Sequence, residues 1–138
     1  MVGGKGTRVE SLSKELPKCL LKVGPKTVLQ HQLEVLKKEG INEIILSLGY
    51  MSNKIIDFVK SNKNFGMEID FYIENSPLGT AGSLKFLPDT GDDFLLIYGD
   101  IIFDIYINKF IDFHYNKKGV ATILVHPNDH PYDSDVVI

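Results

Sequence analysis

The run Ile44-Ile45-Leu46-Ser47-Leu48, closed by Gly49-Tyr50, decides the fold through what flanks it. It is short, apolar and without strict alternation, the pattern of a strand covered on both faces. Before it, Thr27 is placed to cap a helix running to about Lys38. Val28, Leu29, Leu33 and Leu36 form that helix's apolar side, and Gly40 supplies the stop. After it, Ser52 is placed to cap a second helix, in which Ile55, Ile56 and Val59 recur at helical spacing. Phe65-Gly66 then turns the chain into Met67–Ile73. There Met67, Ile69, Phe71 and Ile73 alternate with Glu68, Asp70 and Tyr72, as in a strand with one wetter face. Helices alternating with short apolar strands predict an α/β fold. The expected form is a Rossmann-like, doubly wound, mostly parallel sheet with helices on both faces.

Farther along, Asn75–Thr80 reads as a loop and Ala81–Leu87 as a short helix ended by Pro88. Phe94–Tyr98 reads as a buried strand that stops at Gly99-Asp100. Ile107–Lys118 reads as a helix with Ile107, Phe110, Ile111 and His114 on one side and Gly119 at its end. Val120–Val125 reads as another buried strand, followed by the polar, turn-rich stretch His126–Asp135. In the other direction, residues 9–26 form an irregular connection with Leu16-Pro17-Lys18 at its middle and Gly24-Pro25 near its end. Met1-Val2 is the last scrap of an opening strand. The sheet is thus expected to be incomplete at both ends, within a single domain over residues 1–138.

A chain of 138 residues, 43% hydrophobic and 24% charged, has room for one domain with a core. Its net charge of −3, with no basic stripe, argues against a nucleic-acid backbone as partner. The single cysteine, Cys19, excludes an internal disulfide and a cysteine-rich zinc framework. No apolar run has the length of a membrane span, and the N-terminus lacks a signal-peptide layout, so a cytoplasmic setting is expected. An unfinished sheet leaves edges that suit an oligomer or a further segment.

In such sheets, ligands bind beyond the carboxyl ends of the strands. Three notable segments fall there. Gly3-Gly4-Lys5-Gly6-Thr7-Arg8 combines glycines that let backbone N–H groups approach an anion with a guanidinium suited to phosphate oxygens. Glu74-Asn75-Ser76-Pro77-Leu78-Gly79-Thr80-Ala81-Gly82 offers backbone groups, a hydroxyl and a carboxylate that can accept from an amide and an amine edge. Asp100, directly after a strand and a glycine, can reach a metal ion held beside phosphates, as Mg²⁺ usually is. Lys18 follows Pro17, which stiffens its loop and fits it to place a charge beside a phosphate. Lys5 and Lys26 are weaker candidates of the same kind.

Other chemistries fall away. A Walker loop needs Gly-Lys followed by Ser or Thr opening a helix, whereas Lys5 is followed by Gly6. The dinucleotide pattern of glycines is absent, and the strand at Ile44–Leu48 ends in no acidic ribose reader. There is no nucleophile elbow. His126, Asp129, His130, Asp133 and Asp135 fall in a segment with two prolines rather than on a helix face. They read as a polar loop in preference to a metal site, and His31 and His114 as packed or surface residues.

The ordered set Gly3-Gly4-Lys5-Gly6-Thr7-Arg8, Leu16-Pro17-Lys18, Leu48-Gly49-Tyr50, Pro77-Leu78-Gly79-Thr80-Ala81-Gly82 and Gly99-Asp100 resembles the sugar-phosphate nucleotidyltransferase family. Within it, the chain looks most like guanylyltransferases acting on mannose 1-phosphate or D-glycero-D-manno-heptose 1-phosphate. His126–Asp135 is similar to a segment of the heptose-type branch. The resemblance implies a nucleotide-diphospho-sugar transferase type of fold. It implies attack by a sugar 1-phosphate oxygen on the α-phosphorus of a nucleoside triphosphate, with release of pyrophosphate. It further implies that Gly3, Gly4, Gly6 and Thr7 wrap the triphosphate, that Arg8 and Lys18 neutralise it, and that Asp100 holds Mg²⁺. Glu74, Leu78, Gly79, Thr80 and Gly82 would face the base, with GTP favoured.

The chain departs from the family in carrying Pro17-Lys18-Cys19 for the usual Pro-Lys-Pro and Pro25-Lys26-Thr27 for Gly-Lys-Pro. The family's later portion, with much of the sugar pocket and a second metal-binding carboxylate, has no counterpart here. The expectation is a truncated N-terminal portion that binds NTP–Mg²⁺ and catalyses poorly. Its rivals are a non-catalytic nucleotide-binding or regulatory module and a generic doubly wound domain such as a receiver. A receiver, however, needs acidic residues where this chain has glycines.

Overall fold

The computed structural model describes residues 15–74, 82–86, 91 and 93–127. The chain divides into two compact units, residues 1–105 and 106–138.

In the first unit, a 3-10 turn at Lys18–Leu20 leads into a small antiparallel hairpin of β1 (Lys22–Val23) and β2 (Lys26–Thr27). The described part of the connection expected to be irregular is therefore ordered, with Gly24 at φ +65° making its turn. Helix α1 (Val28–Lys38) starts as expected, since Thr27 Oγ1 accepts from the Gln30 N–H at 3.1 Å. It ends as expected too. Gly40, at φ +86°, lets its own N–H reach Lys37 O at 3.1 Å and the Ile41 N–H reach Leu36 O at 3.0 Å. That pair of bonds is a Schellman closure. Leu29 and Leu33 are each 1% exposed, so this face of α1 lies in the core.

Strand β3 (Glu43–Leu48), helix α2 (Ser52–Ser61) and strand β4 (Glu68–Ile73) form a β–α–β unit whose strands pair in parallel, Glu43 opposite Glu68 through Leu48 opposite Ile73. Consecutive burial of Leu46, Ser47 and Leu48 means that both faces of β3 are covered at its carboxyl end. Ser52 is not the cap expected. Met51, at φ 59°, takes the capping position, Ser52 is the first helical residue, and its N–H donates to Gly49 O at 3.2 Å across the entering turn. In α2, Ile55 and Val59 are buried and Ile56 half-buried. A left-handed turn over Lys63–Gly66 returns the chain to β4. The alternation in β4 holds for Met67 and Ile69, then fades, and Ile73 is exposed.

Two further expectations differ in this unit. Among the described residues Phe94–Tyr98 has no ladder partner, and Phe94, Leu96 and Tyr98 are exposed. A ladder needs strands about 4.8 Å apart. Residues 93–97 and β3 line a shared cavity of about 650 Å³ that reaches Gly99 and the buried face of α1. Ala81–Leu87 is a 3-10 turn over Gly82–Phe86, and its expected ends lie outside the described residues.

The second unit contains α3 (Ile107–Lys117), whose Ile107 is buried and whose Phe110, Ile111 and His114 are half-buried, as the spacing predicted. Lys118, at φ 53°, rather than Gly119, takes the left-handed closing position. Val120–Val125 is not the buried strand expected. Among the described residues it has no ladder partner, and Val120, Ile123, Leu124 and Val125 are all exposed. Among the described residues no helix is long and apolar enough to cross a membrane.

Candidate functional site

Of the residues to which the resemblance gives a role, Lys18, Glu74, Gly82 and Asp100 are described. Gly3, Gly4, Lys5, Gly6, Thr7 and Arg8 lie outside the described residues, as do Leu78, Gly79, Thr80 and, in the final loop, Asp129, His130, Asp133 and Asp135.

Lys18 and Asp100 are brought together from positions far apart in sequence, with Lys18 Nζ 3.8 Å from Asp100 Oδ2. Pro17 is buried, and its carbonyl accepts from the Leu20 N–H at 2.9 Å, which fixes the start of the turn that carries Lys18. Asp100 follows the buried Gly99. The two side chains are 31% and 51% exposed. A pair so open to solvent contributes about 1 kcal/mol or less. It can therefore be surrendered at little cost when stronger charges enter.

Directly beneath Lys18, Cys19 is 1% exposed. Burial pushes its thiol up to about 12, and the negative charge of Asp100 adds to the effect. In the native chain the thiol should resist a disulfide-exchange reagent at pH 8 and react at once in denaturant; rapid native labelling would contradict its burial. An unfolded thiol ionises near 9, so this group's contribution to stability is complete below that pH and is lost as pH rises toward 12.

Glu74 lies at the carboxyl end of the β3–β4 pair. Its N–H donates to Leu48 O at 2.7 Å, and its Oε1 accepts from Ser47 Oγ at 3.1 Å. Ser47 is 4% exposed, so the hydroxyl that holds the carboxylate is fixed in the core. Gly82 opens the 3-10 turn whose Ser83 is fully buried.

Lys26 already has an acidic partner. Its ammonium pairs with Glu34, which also accepts from Gln30, and Lys26 holds the Glu34 carboxyl below the usual carboxylate range. His31 Nε2 donates to Val23 O at 2.9 Å and braces the hairpin. His114 bonds Thr122 within the second unit, and His126 Nδ1 donates to the adjacent Pro127 O. Among the described residues no group of three His, Cys, Asp or Glu side chains clusters to hold a metal ion.

Two residues passed over in the sequence shape this region. Ser47 positions Glu74, and Gln32 on α1 donates to Tyr98 O at 2.7 Å and Ile101 O at 2.6 Å, on either side of Gly99-Asp100. Their signal was a polar residue at a position that the pattern assigns to the core, which requires a buried partner.

Comparison with known proteins bears on this geometry. Residues 1–134 match the family model described as nucleotidyl transferase. The whole chain aligns at 35% identity with 40% of a probable mannose-1-phosphate guanylyltransferase 1 of Oryza sativa subsp. japonica. It aligns at 32% identity with 40% of a mannose-1-phosphate guanyltransferase of Saccharomyces cerevisiae. The chain thus spans about 40% of the length of the curated relatives it matches. Among solved structures, HddC from Yersinia pseudotuberculosis complexed with GMP-PN superposes with a TM-score of 0.71 at 36% identity, over 82% of this chain and 51% of that one. A putative glucose-1-phosphate thymidylyltransferase from Bacillus anthracis superposes with a TM-score of 0.75 at 28% identity, over 85% of this chain and 49% of that one. These likenesses place the chain in the Rossmann-like α/β class that its strand and helix pattern predicted.

Proposed function

Since the chain belongs to the nucleotidyl transferase family, we propose that residues 1–138 form the nucleotide-binding part of a single nucleotidyltransferase domain. The reaction is transfer of a nucleotidyl group from a nucleoside triphosphate, GTP by preference, to a sugar 1-phosphate of mannose or heptose type. The observation that carries this reading is the Lys18–Asp100 pair, an ammonium and a carboxylate 3.8 Å apart and open to solvent. Relatives named as mannose-1-phosphate guanylyltransferases and a structural neighbour complexed with GMP-PN support it.

In this reaction an oxygen of the sugar phosphate bonds to the α-phosphorus. The bond from that phosphorus to the bridging oxygen breaks, and its electron pair leaves with pyrophosphate. The attacking oxygen is already ionised near neutral pH, so no general base is required. The protein has to hold two mutually repelling anions in line and offset their charge. Lys18 supplies one positive charge and Arg8 another, while Gly3, Gly4, Gly6 and Thr7 present backbone and hydroxyl donors to the triphosphate.

Asp100 suits Mg²⁺, because that ion usually takes one or two carboxylates together with substrate phosphates rather than a complete protein cage. When bound there, Mg²⁺ would supply charge neutralisation and polarise a phosphoryl oxygen.

Glu74 and the Leu78–Gly82 loop face the base. A carboxylate accepts from both the ring N–H and the exocyclic amine of guanine, whereas uracil offers it a single N–H. Glu74→Gln is therefore expected to weaken GTP binding about tenfold, or ~1.4 kcal/mol, and to weaken UTP binding much less. Equal losses for the two nucleotides would remove Glu74 as the base reader.

The reaction itself is tested by pyrophosphate release with GTP or UTP against mannose 1-phosphate and heptose 1-phosphate. Release, however slow, should require both substrates and be fastest with GTP. Release that ignores the sugar phosphate would overturn the assignment.

A further inference from the structure

We propose that Gln32 is a positioning residue for Asp100, acting through the backbone on either side of it. This rests on the reading of Asp100 as the carboxylate that meets the nucleotide's divalent cation. Gln32 is 5% exposed and occupies the face of α1 that also buries Leu29, Leu33 and Leu36. An amide on such a face is costly unless its hydrogen bonds are made. Its Nε2 carries two N–H groups, and it donates to two carbonyls, Tyr98 O at 2.7 Å and Ile101 O at 2.6 Å. Those carbonyls flank Gly99-Asp100, so one side chain spans the turn like a clamp.

Among the described residues, 93–106 form no helix and pair in no ladder, and several of their apolar side chains are exposed. The anchored end is α1, closed at one terminus by Thr27 and at the other by Gly40. The same helix governs Lys18. The Val28 N–H at its start donates to Leu21 O at 3.0 Å, and Leu21 donates in turn to Lys18 O at 3.0 Å. Helix α1 is thus a common mount for both members of the charge pair. Lys18 is held through the start of the helix and Asp100 through Gln32, one turn farther along.

Partners that orient a metal ligand from behind typically matter 10–100-fold for metal affinity. The test is calorimetric titration of the 138-residue chain with GTP, in saturating Mg²⁺ and in EDTA, which defines a metal enhancement as the ratio of the two affinities. Gln32→Met keeps the side-chain length and removes the donor. It should cut the enhancement about tenfold while leaving affinity in EDTA unchanged. Gln32→Met added to Asp100→Asn should do no more than Asp100→Asn alone.

Equal loss in Mg²⁺ and EDTA would mark Gln32 as a packing residue only and overturn the proposal, as would an unchanged ratio. An enhancement that survives Asp100→Asn would overturn the Asp100 reading itself, and this proposal with it. Should Gln32→Met fail to fold, the wild-type side-chain amide resonances of Gln32 carry the test. They should shift with GTP and Mg²⁺ and stay in place with GTP and EDTA; identical spectra in the two conditions would overturn the proposal.

Discussion

Asp100→Asn is expected to lower pyrophosphate release roughly 100-fold, ~2.7 kcal/mol of transition-state stabilisation, and to remove the dependence of GTP binding on Mg²⁺. The substitution is nearly isosteric, so the change is one of charge. The carboxylate is half exposed and its partner Lys18 is a third exposed, so the pair adds little to folding. Thermal or urea stability should consequently stay within about 0.5 kcal/mol of the parent. That combination, a large functional loss with an unmoved stability curve, separates a ligand role from a structural one. Retention of the full Mg²⁺ effect in Asp100→Asn would contradict the assignment.

Leu33→Ala should produce the opposite signature. Leu33 is 1% exposed on the face of α1 that also lines the cavity beside β3. Truncating a leucine at such a site removes apolar burial and leaves space that neighbours only partly refill, at a cost of about 2–5 kcal/mol. A small domain has only about 5–15 kcal/mol of stability in total, so the variant should unfold at a much lower urea concentration with little change in slope. Because α1 mounts both Lys18 and Asp100, whatever nucleotide binding it retains should weaken along with stability. Lys38→Ala, on the exposed last turn of the same helix, is the control and should change stability by less than about 0.5 kcal/mol. A loss below about 1 kcal/mol at Leu33 would mean that α1 is not the core element described.

The parts of this fold written in local chemistry were legible before any coordinates. Thr27 and Gly40 bound α1 where a hydroxyl and a glycine should, and the apolar spacing of Ile55 and Val59 put α2 against the core. The parallel pairing of β3 and β4 followed from a helix between two apolar runs. Phe94–Tyr98 and Val120–Val125 misled for a common reason. An apolar run states what a segment could bury, while a strand also needs a neighbouring backbone to pair with, and none of the described residues provides it. Ser52 misled because capping depends on how the chain enters the helix, and the turn at Gly49–Met51 enters with a left-handed residue.

In the candidate site, Lys18, Glu74 and Asp100 stood out in the sequence as charged residues next to a proline, a glycine or a strand end. Gln32 and Ser47 were passed over because each sits inside an apolar pattern and looks like an interruption. Each hydrogen-bonds a group distant in sequence, and that needed the third dimension to be read.

The most direct test of the central claim, a guanine-nucleotide and metal site assembled around Lys18, Glu74 and Asp100, is calorimetric titration of the purified wild-type chain with GTP and with UTP, each in Mg²⁺ and in EDTA. The account predicts that GTP binds in Mg²⁺, that EDTA weakens it about tenfold or more, and that UTP binds less tightly than GTP. Binding of GTP with the same affinity in Mg²⁺ and EDTA, or no tighter than UTP, would contradict it.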